Sequence, residues 1–167
     1  VMNDNGSVAD LIGVANHQIS MDNPNSMFVT AVAGILDTRT GEVQFCNAGH
    51  DTPYRCRQGS APQPLESEGG LPLGIMEGFT YPTEHETLQP GDALVLITDG
   101  VNEAISDADA AYGTDRVLDY LNNISPDAGA KAISNGLHDD VNNFVGDNEQ
   151  FDDITIVVIR YLSSGDI

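Results

Sequence analysis

The run Ala93-Leu-Val-Leu-Ile97, followed by Thr98 and then Asp99-Gly100, constrains this chain more than any other stretch. It is short and aliphatic, a Pro90-Gly91-Asp92 turn precedes it, and a second breaker closes it, so it reads as a buried β-strand. A carboxylate at the end of such a strand is aimed at the rim of a sheet, where a site can be built. Asp-Gly is also among the commonest turn pairs, and by itself the pair fits either role.

Phe151-Asp-Asp-Ile-Thr155 supplies further acids for that rim. Asp152 and Asp153 stand before Ile154-Thr-Ile-Val-Val-Ile159, a run β-branched almost throughout and expected at the centre of a sheet. If this strand and Ala93–Thr98 are antiparallel neighbours, the end of one lies beside the start of the other, at a strand spacing of about 4.8 Å. Asp99, Asp152 and Asp153 would then share one edge. Carboxylates held that close repel unless a proton or a cation sits between them, and oxygen-only ligands select a hard ion such as Mg²⁺ or Mn²⁺. A metal-bound water of lowered pKa suits phosphoryl hydrolysis. The bland alternative is that Asp152 and Asp153 only close a turn before the strand.

The remaining pattern predicts hairpins grouped apart from helices. Ser7-Val-Ala-Asp10 has the form of a helix cap, with Val8, Leu11, Ile12, Ala15 and Ile19 at helical spacing. After Asn23-Pro24-Asn25, Met27–Leu36 reads as a buried strand, Asp37–Gly41 as a hairpin loop and Glu42–Asn47 as the returning strand. Tyr54–Arg57 follows the turn from Ala48 to Pro53, and a polar strand is expected near Phe79–Leu88. Helices are predicted over Thr114–Asn122 and from Ser125-Pro126 to about Gly146, the second with an apolar stripe of Ala130, Ile133, Leu137, Val141 and Phe144. The Gly59–Gly74 stretch is long for a connector and fits either a functional flap or a plain mobile link. Grouped antiparallel hairpins with segregated helices indicate an α+β sandwich.

Composition narrows the function classes. The chain has 167 residues, a length that fits one domain over 1–167. Lys and Arg total 6 against 26 Asp and Glu, a formal charge of -20, which argues against nucleic acid and anionic membrane as partners. The acids are spread along the chain, as in a solvated acidic shell, and the single lysine, Lys131, also fits a high-salt habitat. Cys46 and Cys56 flank an expected hairpin turn and could face each other across it, but read better as free buried thiols. No segment is long and apolar enough to span a bilayer and no signal-peptide order opens the chain, so a cytoplasmic location is expected, with room for an anchor elsewhere in a longer parent.

Six short motifs recur in a familiar order: Met27-Phe-Val-Thr30, Asn47-Ala-Gly-His50, Leu71-Pro-Leu-Gly74, Thr98-Asp-Gly100, Tyr112-Gly113 and Asp152-Asp-Ile-Thr155. Over about residues 8–161 the chain resembles the SpoIIE-type branch of the metal-dependent protein phosphatases, the PPM superfamily. The resemblance implies an α-β-β-α sandwich of antiparallel sheets and two or more Mn²⁺ or Mg²⁺ ions in a complete domain. It further implies a metal-activated water that hydrolyses phosphoserine or phosphothreonine on a regulatory protein, such as an anti-anti-sigma-factor-like domain. Asp99 and Asp152 match metal-binding acids of the family; Asp153 matches a neighbouring position expected to orient the shell, with Gly100 beside it. His50 matches a structural turn and is expected to hydrogen-bond there, with Asn47 and Gly49 shaping the turn; His17, His85 and His138 belong to no constellation.

The family's leading motifs, Gly-Asp-aromatic-x-Asp and Asp-Val-x-Gly-x-Gly, do not occur, and Gly91-Asp92, Gly146-Asp147 and Gly165-Asp166 have the wrong neighbours. The expectation is therefore a domain lacking its first metal-binding strands, weak or inactive by itself and prone to self-association through unpaired edges. An upstream sensor or receiver module is expected in the parent protein. The alternative to a phosphatase is a non-catalytic phosphatase-like protein-binding module.

Overall fold

The computed structural model describes residues 7–21, 23–148 and 152–162. Phe151 and Gly165-Asp166 lie outside the described residues. The expected α+β class with antiparallel sheets holds, and the described residues divide into two compact units. The first takes in those up to His50 together with Glu66–Leu88; the second takes in Asp51–Leu65 and those from Gln89 onward.

The first unit opens with helix α1, Val8–Met21. The predicted cap is present and reciprocal: the Asp10 amide donates to Ser7 Oγ at 3.1 Å, and the Ser7 amide donates to Asp10 Oδ2 at 3.1 Å. Val8 and Ile12 are buried with Cys46, Ala48, Leu73 and Tyr81 in the unit's core. Strands β1 (Ala31–Leu36), β2 (Glu42–Ala48) and β5 (Glu84–Thr87) form an antiparallel sheet in the order β1-β2-β5. The hairpin between β1 and β2 is the predicted one; Gly41 takes φ 79° and donates to Asp37 O at 2.8 Å.

The expected buried strand over Met27–Leu36 is corrected on both counts. Asn23 binds both backbone groups of Met27 through its side chain, and Val29 pairs only with Leu73, so regular strand begins at Ala31. Met27, Phe28 and Val29 are exposed, and β1, an edge strand among the described residues, carries no fully buried residue.

In this unit the end of the long loop is tied to its neighbours by hydrogen bonds at Leu73 and Gly74. Val29 and Leu73 exchange backbone hydrogen bonds of 3.0 and 2.8 Å. The side chain of Asn16, 1% exposed, accepts from the Gly74 amide and donates to Met76 O, both at 2.9 Å. That buried asparagine satisfies its own polar atoms by holding the turn.

The second unit has strands β3 (Tyr54–Cys56), β4 (Gln63–Pro64), β6 (Ala93–Ile97) and β7 (Ile156–Arg160), in the order β4-β3-β6-β7. β3 pairs with β4 and β6, so Ala48–Pro53 is not the turn of a hairpin, and Cys46 and Cys56 are free thiols on strands of different sheets. β6 is an interior strand. The prediction that Ile154–Ile159 sits at a sheet centre is corrected: among the described residues β7 lies at the edge, and its β-branched residues alternate, with Val157 and Ile159 exposed.

Helices α2 (Asp99–Asn102), α3 (Gly113–Asn122) and α4 (Ala130–Val145) complete the unit. Val117 and Leu121 of α3 and Ile133, Leu137 and Val141 of α4 bury their apolar stripes with Val95, Ile97 and Val101. The predicted helix start at Ser125-Pro126 is corrected to Ala130. Arg160 donates to the carbonyls of Pro126 and Ala128, and Gly129 stays extended, so those carbonyls are committed outside a helix. The predicted end holds, with Gly146 at φ 68°.

Candidate active site

Strand β6 delivers Asp99 and strand β7 is entered through Asp152 and Asp153. The two strands pair antiparallel, from Ala93 opposite Arg160 to Ile97 opposite Ile156. The pairing continues past the regular ladder, where the Thr98 amide donates to Thr155 O at 3.1 Å. Thr98 adds a side-chain staple: its hydroxyl donates to Asp153 O and accepts from the Thr155 amide, each at 2.9 Å. The end of one strand is thereby fixed to the approach of the other.

Gly100 closes the gap. A Cβ at this position would stand 2.6 Å from Asp153 O and 3.5 Å from the Asp152 carbonyl carbon, so only a residue without a side chain fits. Asp99 is not merely the corner of a turn: it begins α2, and its Oδ1 accepts from the Gly100 amide at 3.0 Å. Asp152 is held in a matching way, its Oδ1 accepting from the Asp153 amide at 2.7 Å. Both carboxylates remain exposed, as does Asp153. The structure thus brings the segments bearing Asp99, Gly100, Asp152 and Asp153 together on one rim.

The donor set is carboxylate oxygen, which suits a hard divalent ion completed by water. It is a short set. Among the described residues no group of three or more His, Cys, Asp or Glu side chains could hold a metal ion.

Other predicted residues lie elsewhere. Asn47 does shape its turn, with Nδ2 donating to His50 O at 2.9 Å and Oδ1 accepting from the His50 amide at 2.8 Å. The His50 contacts there are backbone ones. Gly49 has φ 73°, and a Cβ would come within 2.6 Å of Pro72 Cγ. His17 pairs with Glu77 at 3.2 Å on the surface, and His138 lies 3.9 Å from Asp139.

Three features of the same unit gave no sequence signal. Asn102, on α2, donates from Nδ2 to Asp51 Oδ2 at 3.0 Å across 51 positions. Thr98 is visible as part of Thr-Asp-Gly, but the partners of its hydroxyl lie more than fifty residues away. The Tyr112 hydroxyl donates to Asp140 Oδ2 at 2.5 Å, and burial together with this carboxylate pushes the phenol well above its ordinary range.

The sequence matches the family described as Stage II sporulation protein E (SpoIIE) over residues 1–162. It is 27% identical over 135 residues to Protein IcfG of Synechocystis sp., covering 80% of this chain and 21% of that protein. It is 25% identical over 146 residues to phosphoserine phosphatase RsbU of Bacillus subtilis, covering 87% of this chain and 42% of that one. The chain therefore spans well under half the length of these curated relatives. Among solved structures, the SiaA-PP2C domain of Pseudomonas aeruginosa superposes with a TM-score of 0.78 at 23% identity, covering 93% of this chain and 61% of that domain. With the family model matched over residues 1–162 and the fold shared with that domain, this chain belongs to the family described as Stage II sporulation protein E (SpoIIE).

Proposed function

We propose that this chain forms one phosphatase domain, about residues 8–161, that removes phosphate from serine or threonine of a regulatory protein. Asp99 and Asp152 would hold a Mn²⁺ or Mg²⁺ ion between them. When bound, such an ion supplies a water acidic enough to act as a nucleophile at neutral pH and positive charge to offset that of the phosphate. The protein's own part is placement. Thr98 staples the two strand ends, Gly100 lets the backbones touch, and the Asp153 amide orients the Asp152 carboxylate; the Asp153 carboxylate is assigned the outer-sphere water.

The observation that carries this reading is the approach of Gly100 to the Asp152–Asp153 backbone, a juxtaposition that a simple turn after β6 does not require. Phosphoserine as the substrate is supported by the named activity of the Bacillus subtilis relative. The partner class we favour is a small anti-anti-sigma-factor-like protein, with the phosphatase placed behind a sensor or receiver module in the cytoplasm. No helix among the described residues is long and apolar enough to cross a membrane.

One observation favours a second reading, a non-catalytic binding module: the two carboxylates have no third ligand grouped with them among the described residues. Calorimetric titration with Mn²⁺ separates the two. Under the phosphatase reading the chain binds the ion weakly, Asp99→Asn and Asp152→Asn each reduce that binding about tenfold further, and any slow release of phosphate from a phosphoserine peptide is lost with both. Absence of ion binding, or binding indifferent to both substitutions, would leave the module reading.

A further inference from the structure

Beside the rim lies a cavity of about 600 Å³, lined by Gly100 and Asp152 of the candidate site itself. That volume lies within the range of about 300–1,000 Å³ typical of ligand pockets. Its other walls come from two places. One is a tight hairpin in which Ile105 bridges Ala111, closed by Ser106–Ala110 and Asp109–Ser106 backbone hydrogen bonds of 2.9 Å, with Asp109 at φ 56°. The other is the end of α4, where Val145 and the Gly146 turn face the cavity and Asn148 donates to Ile105 O at 3.3 Å. The walls are joined to each other before any ligand arrives.

The lining has a definite chemistry. Ile105, Ala111, Val145 and Ile154 make much of it apolar. Its charged groups among the described residues are Glu103 and Asp152, with no Lys or Arg. One further lining residue, Asn102, carries an unspent acceptor: its Oδ1 is buried with no hydrogen-bond partner among the described residues. The amide cannot be flipped to cure this, because Nδ2 is engaged by the Asp51 carboxylate, which accepts only from a donor. A buried acceptor without a donor is costly, so it is a place where an incoming N–H gains more than an ordinary hydrogen bond.

We propose that this cavity docks the polypeptide segment flanking the phosphorylated residue of the partner, taking one aliphatic side chain with Lys or Arg next to it. The identity of the occupant rests on the phosphatase reading. Continuity with the rim through Gly100 and Asp152 places the segment within reach of the carboxylates. Charge complementarity selects basic neighbours, since the charged groups on the walls are carboxylates and the whole chain has a formal charge of -20.

The test uses NMR titration of the ¹⁵N-labelled chain without metal, with an unphosphorylated alanine-based decapeptide containing one serine, a nearby leucine and two arginines. Amide shifts should concentrate at Ile105, Ala111, Val145 and Asn102. Replacing the peptide's leucine by aspartate should weaken binding about tenfold, the size expected for losing burial of one leucine side chain. Replacing its arginines by glutamates should weaken it as well. Ala111→Leu, at an exposed position, should fill the cavity and give a comparable loss. Shifts elsewhere, or equal affinity for all three peptides, overturn the proposal even if the variant does not fold. Calorimetric Mn²⁺ titration of wild type, Asp99→Asn and Asp152→Asn, run in parallel, reports on the phosphatase reading separately: no ion binding, or binding indifferent to both substitutions, with selective peptide binding intact would keep the docking site and remove the catalysis.

Discussion

The α-carbon of Gly100 faces the carbonyl oxygen of Asp153 so closely that a methyl group there would stand 2.6 Å from it. Both neighbours are backbone, so no flexible side chain can yield. Gly100→Ala must push α2 away from the approach to β7, at a cost of about 1–3 kcal/mol in the manner of an overpacked core. Gly13→Ala is the matched control. Gly13 lies within α1, where an added methyl would meet nothing within 4 Å, so alanine there should stabilise by about 0.5–1 kcal/mol. Urea unfolding of both variants checks the opposite signs.

Half-buried Arg57 and buried Asp92 form an ion pair in the second unit. Asp92 is 2% exposed and accepts from Arg57 Nε at 3.0 and 3.1 Å, from Arg57 Nη2 at 2.6 Å, and from the Gln89 amide at 2.9 Å. The pair ties the end of β3 to the turn before β6. Arg57→Ala strands the carboxylate in the interior and should cost about 3–5 kcal/mol. Asp92→Asn keeps an acceptor and should cost less. The denaturant midpoints of the two variants give that ranking, and equal midpoints would deny that the buried charge is what matters.

What the sequence disclosed was local or periodic. The Ser7–Asp10 cap and the Asp37–Gly41 loop depend on residues three or four apart, so they were readable. The meeting of the segments bearing Asp99 and Asp152 was readable because two strand ends of antiparallel neighbours must coincide. The start of α4 was not, since Arg160, 32 residues beyond Ala128, decides which carbonyls are taken. Nor was the edge position of β7, because β-branched residues suit an exposed alternating strand as well as a buried one. Asn102 with Asp51 and Tyr112 with Asp140 join residues whose proximity only the folded chain creates.

Tyr112 links the start of α3 to α4 through its hydroxyl bond to Asp140, while its ring, 2% exposed, meets Phe144 edge-on at 5.4 Å. Tyr112→Phe keeps the ring packing and deletes only the bond. Asp140 is exposed and can rehydrate, so the loss should be about 1–2 kcal/mol, smaller than for a stranded buried acceptor. Tyr112→Ala should cost about 3–5 kcal/mol through the cavity it leaves. Thermal melts of the two variants resolve ring packing from the hydroxyl.

The Cys56 thiol on β3 is pushed up to about 11 by burial and, second, by the charge of Asp92, from an ordinary value of 9.0. The folded state therefore favours the neutral thiol. Its contribution to stability is complete below pH 9, where folded and unfolded chains both keep the proton, and declines as pH rises towards about 11, where the unfolded chain is already ionised. Two pH units correspond to about 2–3 kcal/mol at most. Other groups of the unfolded chain ionise over the same pH range, so the clean quantity is the difference in melting temperature between the wild type and Cys56→Ala, followed from pH 8 to pH 11. That difference should move against the wild type as pH rises. Iodoacetamide gives an independent reading, because only the thiolate attacks. Alkylation of Cys56 in the folded chain at pH 8 should be about a hundredfold slower than in urea, with the gap closing as the pH approaches 11. Fast alkylation at pH 8, or a pH-independent difference between wild type and variant, would show that Cys56 ionises as freely on β3 as in the unfolded chain.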